Sequence, residues 1–138
     1  KLVDPLHRIL TWKSRIINIK NVNPGEFVGY GNAYLTNKKQ KIATVPVGYY
    51  HGFSRNLSNL GRVLVHGKRA VVAGTVNMNM MLINVSDISD VKIGDEVVII
   101  GRQNKLQITV ASFSDMANHL NYEILVRLPQ EIPRIVVA

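Results

Sequence analysis

Two tyrosines carry the strongest suggestion of chemistry in this chain. Tyr30 stands within Gly29-Tyr30-Gly31, and Tyr49 within Gly48-Tyr49-Tyr50-His51-Gly52. In each, a phenol lies among glycines at the end of an expected strand, where residues without side chains let a ligand or another stretch of backbone come close. A phenol so presented can donate or accept a hydrogen bond. It can also move a proton if nearby positive charge favours its ionised form, its unperturbed pKa being about 10. The same pattern also suits tyrosines that only fill turns at the rim of a barrel. Neither segment is a nucleotide fingerprint, because neither is a Gly-x-Gly-x-x-Gly run opening a helix after a strand. The four histidines, at positions 7, 51, 66 and 119, are far apart in sequence. None has a second histidine or a carboxylate at ligand spacing, so no catalytic metal is expected. The run Asn77-Met78-Asn79-Met80-Met81 reads first as adaptable core filling.

The elements that must position these residues are mostly strands. Short apolar segments rich in valine and isoleucine recur with turn residues between them, the pattern of an all-β sandwich or barrel. Strands are expected near 12–22, 27–31, 41–48, 62–66, 69–76, 78–85, 95–101, 105–109 and 123–128. Asn23-Pro24-Gly25 has proline and glycine in the order of a type II turn, and His66-Gly67 and Gly94-Asp95 are further turns. One segment departs from this rhythm. Phe113, Met116, Ala117 and Leu120 fall on one helical face, with Ser112 and Asp115 spaced as a capping box. The expected fold is therefore mainly β, an antiparallel barrel-like domain with one short helix near 112–120.

Composition sets the outer bounds. The chain has 138 residues, 46% hydrophobic and 19% charged. That length suits one core, and that composition is too apolar for disorder. No apolar run approaches the ~20 residues of a membrane span. Cysteine is absent, which excludes disulfides and thiolate metal sites and fits a cytoplasmic setting. The opening at Lys1, in a polar stretch without a methionine, reads as a piece of a longer protein. No internal repeat or linker divides residues 1–138, so one domain is expected. Seventeen lysines and arginines against nine carboxylates give a formal charge of +8. Such a field attracts phosphates, nucleic acids or acidic surfaces without choosing among them.

Taken in order, the motifs resemble the C-terminal domain of alanine racemases over almost the whole chain. Leu10-Thr11-Trp12-Lys13-Ser14-Arg15-Ile16 is similar to the family's opening strand. Pro24-Gly25 followed by Gly29-Tyr30-Gly31-Asn32-Ala33-Tyr34 is similar to its next motif, and Ile42 to Gly52 to the one after, with Arg55 beyond. Gly67-Lys68-Arg69-Ala70, Val76-Asn77-Met78-Asn79, Asp87-Ile88, Val91 to Val97, Asn121-Tyr122-Glu123 and Pro133-Arg134 complete the series. Each match alone is weak, and the ordered set is specific.

The resemblance implies an isomerase that interconverts L- and D-alanine for cell-wall peptidoglycan. Its cofactor, pyridoxal 5'-phosphate, is held by an N-terminal barrel that residues 1–138 do not contain. It also implies a homodimer with head-to-tail active sites, in which this domain serves the partner's cofactor. Tyr30 matches the tyrosine that exchanges the α-proton. Met78 matches the residue whose backbone N–H helps hold the substrate carboxylate, Tyr122 the tyrosine beside the cofactor phosphate, and Tyr49 and Arg55 residues of the substrate's access path. The isolated domain is then expected to be inactive, with no nucleic acid and no membrane among its partners.

This chain departs from the family pattern at Thr75, which replaces a frequent arginine, and at Asn77 and Asn79, which flank Met78 in place of a cysteine and an aspartate. The step from His119-Leu120 to Asn121-Tyr122 is also short. The departures leave open a racemase of another amino acid such as serine, or a domain fused to a cell-wall ligase. A different class, a basic β-barrel binding RNA or a protein, needs aromatics interleaved with lysine and arginine on one face. Aromatics are only 7% here and cluster beside glycines.

Overall fold

A computed structural model describes residues 9–28, 34–117 and 121–137. Among these residues ten strands and two α-helices follow one another: β1 Trp12–Arg15, β2 Asn18–Val22, β3 Phe27–Val28, β4 Tyr34–Leu35, β5 Gln40–Val45, β6 Arg62–Val65, β7 Lys68–Val72, β8 Met81–Asn84, β9 Glu96–Gln103, β10 Leu106–Ile108, α1 Val110–Ala117 and α2 Asn121–Arg127. The main sheet is ordered β1-β9-β6-β7-β8-β5-β2, with β10 also paired to β9, and β3 and β4 form a separate hairpin. Every pairing is antiparallel.

The two outermost strands of that order, β1 and β2, are consecutive in sequence. The expected single strand over 12–22 is thus two, because its halves pair with different neighbours. Ile16 N–H donates to Asp95 O, and one residue later Ile17 N–H donates to Thr44 O, each at 3.0 Å. The chain crosses from β9 to β5 at this point and curls the sheet into a barrel-like shape. Val and Ile dictate the strands because branched side chains pack well on a pleated, buried surface. Val97, Val98, Ile99 and Ile100 are all buried in β9, so both faces of that strand are covered.

Turn chemistry is as the sequence indicates. Gly25 takes φ +86°, as the second corner of a type II turn requires. His66 and Gly67 both have positive φ and join β6 to β7 as a two-residue hairpin loop.

Two further expectations are corrected. Residues 123–128 are not a strand but the body of α2. The run Glu123-Ile124-Leu125-Val126 is too short for its period to decide between the two. In the fold Ile124 is buried, Leu128 packs one turn further on, and Glu123 and Arg127 approach to 3.9 Å across a helical turn. The cap of α1 also lies three residues earlier than expected. Ser112 N–H donates to Thr109 Oγ1 at 3.0 Å while Thr109 N–H donates to Ser112 Oγ at 2.9 Å, the reciprocal pair of a capping box. Phe113 and Ala117 of the expected helical face are buried and Met116 packs beside them, whereas Leu120 lies outside the described residues.

Helix α1 is held to the sheet by Phe113. Its ring meets Trp12 edge-on at 6.1 Å and Phe53 at 5.5 Å. Such pairs are each worth about 0.5–1.5 kcal/mol beyond their area. Phe53 closes the loop that carries Tyr49, so the core reaches directly to the base of that loop.

Candidate functional site

Three short segments from two loops converge at one rim. The loop after β5 makes two short 3-10 turns, Tyr49–His51 and Arg55–Leu57, and the third segment, 73–80, joins β7 to β8. Tyr49 N–H donates to Asn77 O and Tyr50 N–H to Met78 O, each at 3.0 Å. The second turn is laced to the same segment. Ser58 Oγ donates to Arg55 O at 2.7 Å and accepts from Val76 N–H at 2.9 Å. Asn59 N–H donates to Gly74 O while Gly74 N–H donates to Asn59 Oδ1. Asn77 N–H closes its own turn on Met80 O.

Glycine at position 48 is what permits this contact. A Cβ there would overlap the Asn77 carbonyl oxygen and lie 2.5 Å from the Met78 carbonyl carbon. Its φ of −140° is ordinary for any residue, so the demand is for space. Gly48 N–H donates to His51 Nδ1 at 3.1 Å, which ties the turn to itself.

Of the expected site residues, Tyr49, Arg55 and Met78 are therefore brought together, and all three are exposed. The thioether of Met78 points away from the core, contrary to the reading of 77–81 as core filling, although Met81 is fully buried. The Asn77 and Met78 carbonyls are occupied, while the Met78 N–H has no partner among the described residues. Tyr122 sits in the first turn of α2, exposed and not among the residues lining the depression beside Tyr49.

Tyr30 lies outside the described residues, but the strands on either side of it do not. Val28 of β3 and Tyr34 of β4 pack with Val22, Ile42, Ala73 and Leu82. Ala73 and Leu82 bracket the segment that carries Met78. The hairpin is pinned at its base by Thr36, whose buried hydroxyl lies 2.7 Å from Asn23 O and 2.8 Å from Glu26 O. Tyr34 adds a hydrogen bond to Gln40 Oε1 at 3.1 Å.

Tyr49, Tyr50, Gly52, Ser54, Arg55 and Arg127 line an open depression of about 600 Å³. It offers two guanidinium groups, two phenols and a hydroxyl, with no lysine and no carboxylate. Arg127 was not anticipated, because a strand was expected where α2 runs. Its signal in the sequence was the spacing Glu123 to Arg127, a helical ion-pair spacing. Among the described residues no cluster of three or more metal-ligating side chains exists, and no helix is long and apolar enough to cross a membrane.

A curled antiparallel barrel-like domain with a loop-built polar rim is a scaffold that presents side chains and backbone donors to a small ligand. Residues 9–136 match the family model "Alanine racemase, C-terminal domain", and the chain belongs to that family. An alanine racemase of Halothermothrix orenii is 47% identical over 129 residues, covering 94% of this chain and 34% of that protein. One from Leptospira interrogans is 42% identical over 132 residues, covering 96% and 34%. The crystal structure of alanine racemase from Bacillus anthracis with bound L-Ala-P superimposes with a TM-score of 0.87 at 32% identity, covering 93% of this chain and 32% of that one. The chain spans about a third of the length of the curated relatives it matches.

Proposed function

We propose that this chain is the tyrosine-bearing C-terminal domain of an alanine racemase and completes an active site whose cofactor is carried elsewhere. Family membership carries the reading, and the rim supports it: Tyr49, Arg55 and Met78, each matched to a site residue through the family resemblance, share one hydrogen-bonded loop cluster. Inverting an α-carbon requires removal of a proton on one face and delivery on the other, so two acid–base groups must flank it. Tyr30 is one of them. The Met78 N–H, fixed by the flanking carbonyl bonds, donates to the substrate carboxylate, a role independent of the thioether. Tyr49 and Arg55 line the access path, and Tyr122 stands beside the cofactor phosphate.

Pyridoxal 5'-phosphate supplies the electron sink that makes the α-proton labile. No lysine lines the rim depression to hold the cofactor covalently, and the guanidinium and phenol donors there suit an anionic substrate on its way to it. The lysine belongs to an N-terminal barrel domain, and two full-length chains pair head to tail so that each of these domains serves the partner's site. The enzyme is then cytoplasmic and forms D-alanine for peptidoglycan, with alanine as the substrate.

The test is racemisation by the full-length protein. Tyr30→Phe should keep cofactor binding and lower kcat by about 10²–10⁴-fold, the usual contribution of a general acid–base group. A full-length protein that exchanges serine but not alanine would transfer the assignment to the other substrate. Undiminished activity in Tyr30→Phe would remove Tyr30 from the mechanism.

A further inference from the structure

We propose that Arg127 is a specificity-determining residue, sharing the rim depression with Arg55 so that the two guanidinium groups collect the carboxylate of a small amino acid. The proposal rests on the racemase reading and names what attracts the substrate to the rim. Arg55 comes from the 3-10 turn after Tyr49 and Arg127 from the last turn of α2, so two separate elements contribute a cation to one depression. Its lining contains no carboxylate to cancel them. Guanidinium is the cation best matched to a carboxylate, because its parallel N–H donors meet both oxygens at once.

The fold fixes where Arg127 stands. Gly52 closes the Tyr49 turn with φ +97°, and a Cβ at Gly52 would lie 3.5 Å from Arg127 O. The end of α2 therefore seats on the same loop that Tyr49 and Tyr50 bind to Asn77 and Met78. Two carboxylates stand nearby. Glu123 Oε2 lies 3.9 Å from an Arg127 guanidinium nitrogen, with the side chains 33% and 52% exposed, and a pair so open to water is strongly screened. Glu131 faces Tyr50, whose hydroxyl is 3.4 Å from it, and does not line the depression. Arg127 thus adds positive charge to the rim, and Glu123 weakens its pull on an incoming anion.

That arrangement predicts opposite signs for two neighbouring substitutions. In the full-length racemase, Arg127→Gln should raise KM for alanine about two- to fivefold at unchanged kcat, the size of one solvent-screened charge contact. The fall of kcat/KM with added salt should flatten. Arg127→Lys should keep most of the salt dependence, and Glu123→Gln should lower KM. Acetate titrated calorimetrically into the same proteins reads the site without turnover: wild type should bind it more tightly than Arg127→Gln. Equal acetate affinity and equal salt dependence in wild type and Arg127→Gln would overturn the proposal. So would a kcat loss shared by the Lys and Gln variants, which marks a structural role. A wild-type protein that binds acetate through Arg127 yet racemises no amino acid would instead remove the racemase reading.

Discussion

Gly48 and Met78 approach so closely that a side chain on the first would collide with the backbone of the second: a Cβ at Gly48 would stand 2.5 Å from the Met78 carbonyl carbon. This contact joins two loops that act together in the proposed site, one carrying Tyr49 and the other the Met78 N–H. Gly48→Ala should therefore push the loops apart. Its expected cost is about 1–3 kcal/mol of stability, typical of overpacking, together with a raised KM in the full-length enzyme. Gly94→Ala is the control, because Gly94 has φ +96° but open space around it. It should lower the melting temperature and leave KM alone. Equal KM values in both variants would separate the rim contact from substrate binding.

Thr36 holds the β3–β4 hairpin, whose strands flank residues 29–33 in the sequence. Its hydroxyl serves two carbonyls, those of Asn23 and Glu26, in a site only 1% exposed. Thr36→Val keeps the shape but removes the hydroxyl, leaving Asn23 O only the Glu26 N–H and Glu26 O only the Thr36 N–H, so denaturant melting should show a loss of about 0.5–1.5 kcal/mol. Thr36→Ser retains the hydroxyl and should restore most of it. A valine variant as stable as wild type would mean that water serves the carbonyls equally well.

Much of the fold was legible because strands and tight turns announce themselves locally. Pro24-Gly25 and His66-Gly67 carry their dihedral requirements in their residue types, and Val97 to Ile100 form a buried strand wherever they are placed. The break at Ile16-Ile17 was not legible: it depends on partners at Asp95 and Thr44, far along the chain. The helix over 121–127 was missed for a related reason, since four apolar-rich residues fit either period until Ile124 has a core to enter. The glycines around Tyr49 were read as sites of close approach, and Gly48 meets another backbone there. What sequence could not show was that its partner is the Met78 loop, or that α2 adds Arg127.

Asp95 links the turn before β9 to the β6–β7 hairpin. Its carboxylate accepts from Lys92 N–H at 2.8 Å and lies 2.7 Å from His66 Nε2. The Lys92 N–H holds the carboxyl below its ordinary value, with His66 adding to the effect and burial opposing it. A carboxylate whose folded pKa is depressed stabilises above the unfolded value, about 3.9, and loses that contribution as pH falls through the folded value. Asp95→Asn should therefore melt below wild type at pH 7, and the gap should close as pH drops under about 4. Parallel melting curves down to pH 3 would show that Asp95 adds nothing specific.

The central claim is that Tyr30 serves a site whose cofactor lysine lies on the partner chain, and subunit mixing tests it most directly. Full-length Tyr30→Phe is combined with a full-length variant lacking the cofactor lysine, each inactive alone, and subunits are exchanged. Random pairing makes half the dimers mixed, and each mixed head-to-tail dimer holds one site with both groups intact, so activity should return to about a quarter of wild type. Mixed dimers that form normally but remain as inactive as their parents would contradict the arrangement, placing Tyr30 at its own chain's site or outside the reaction.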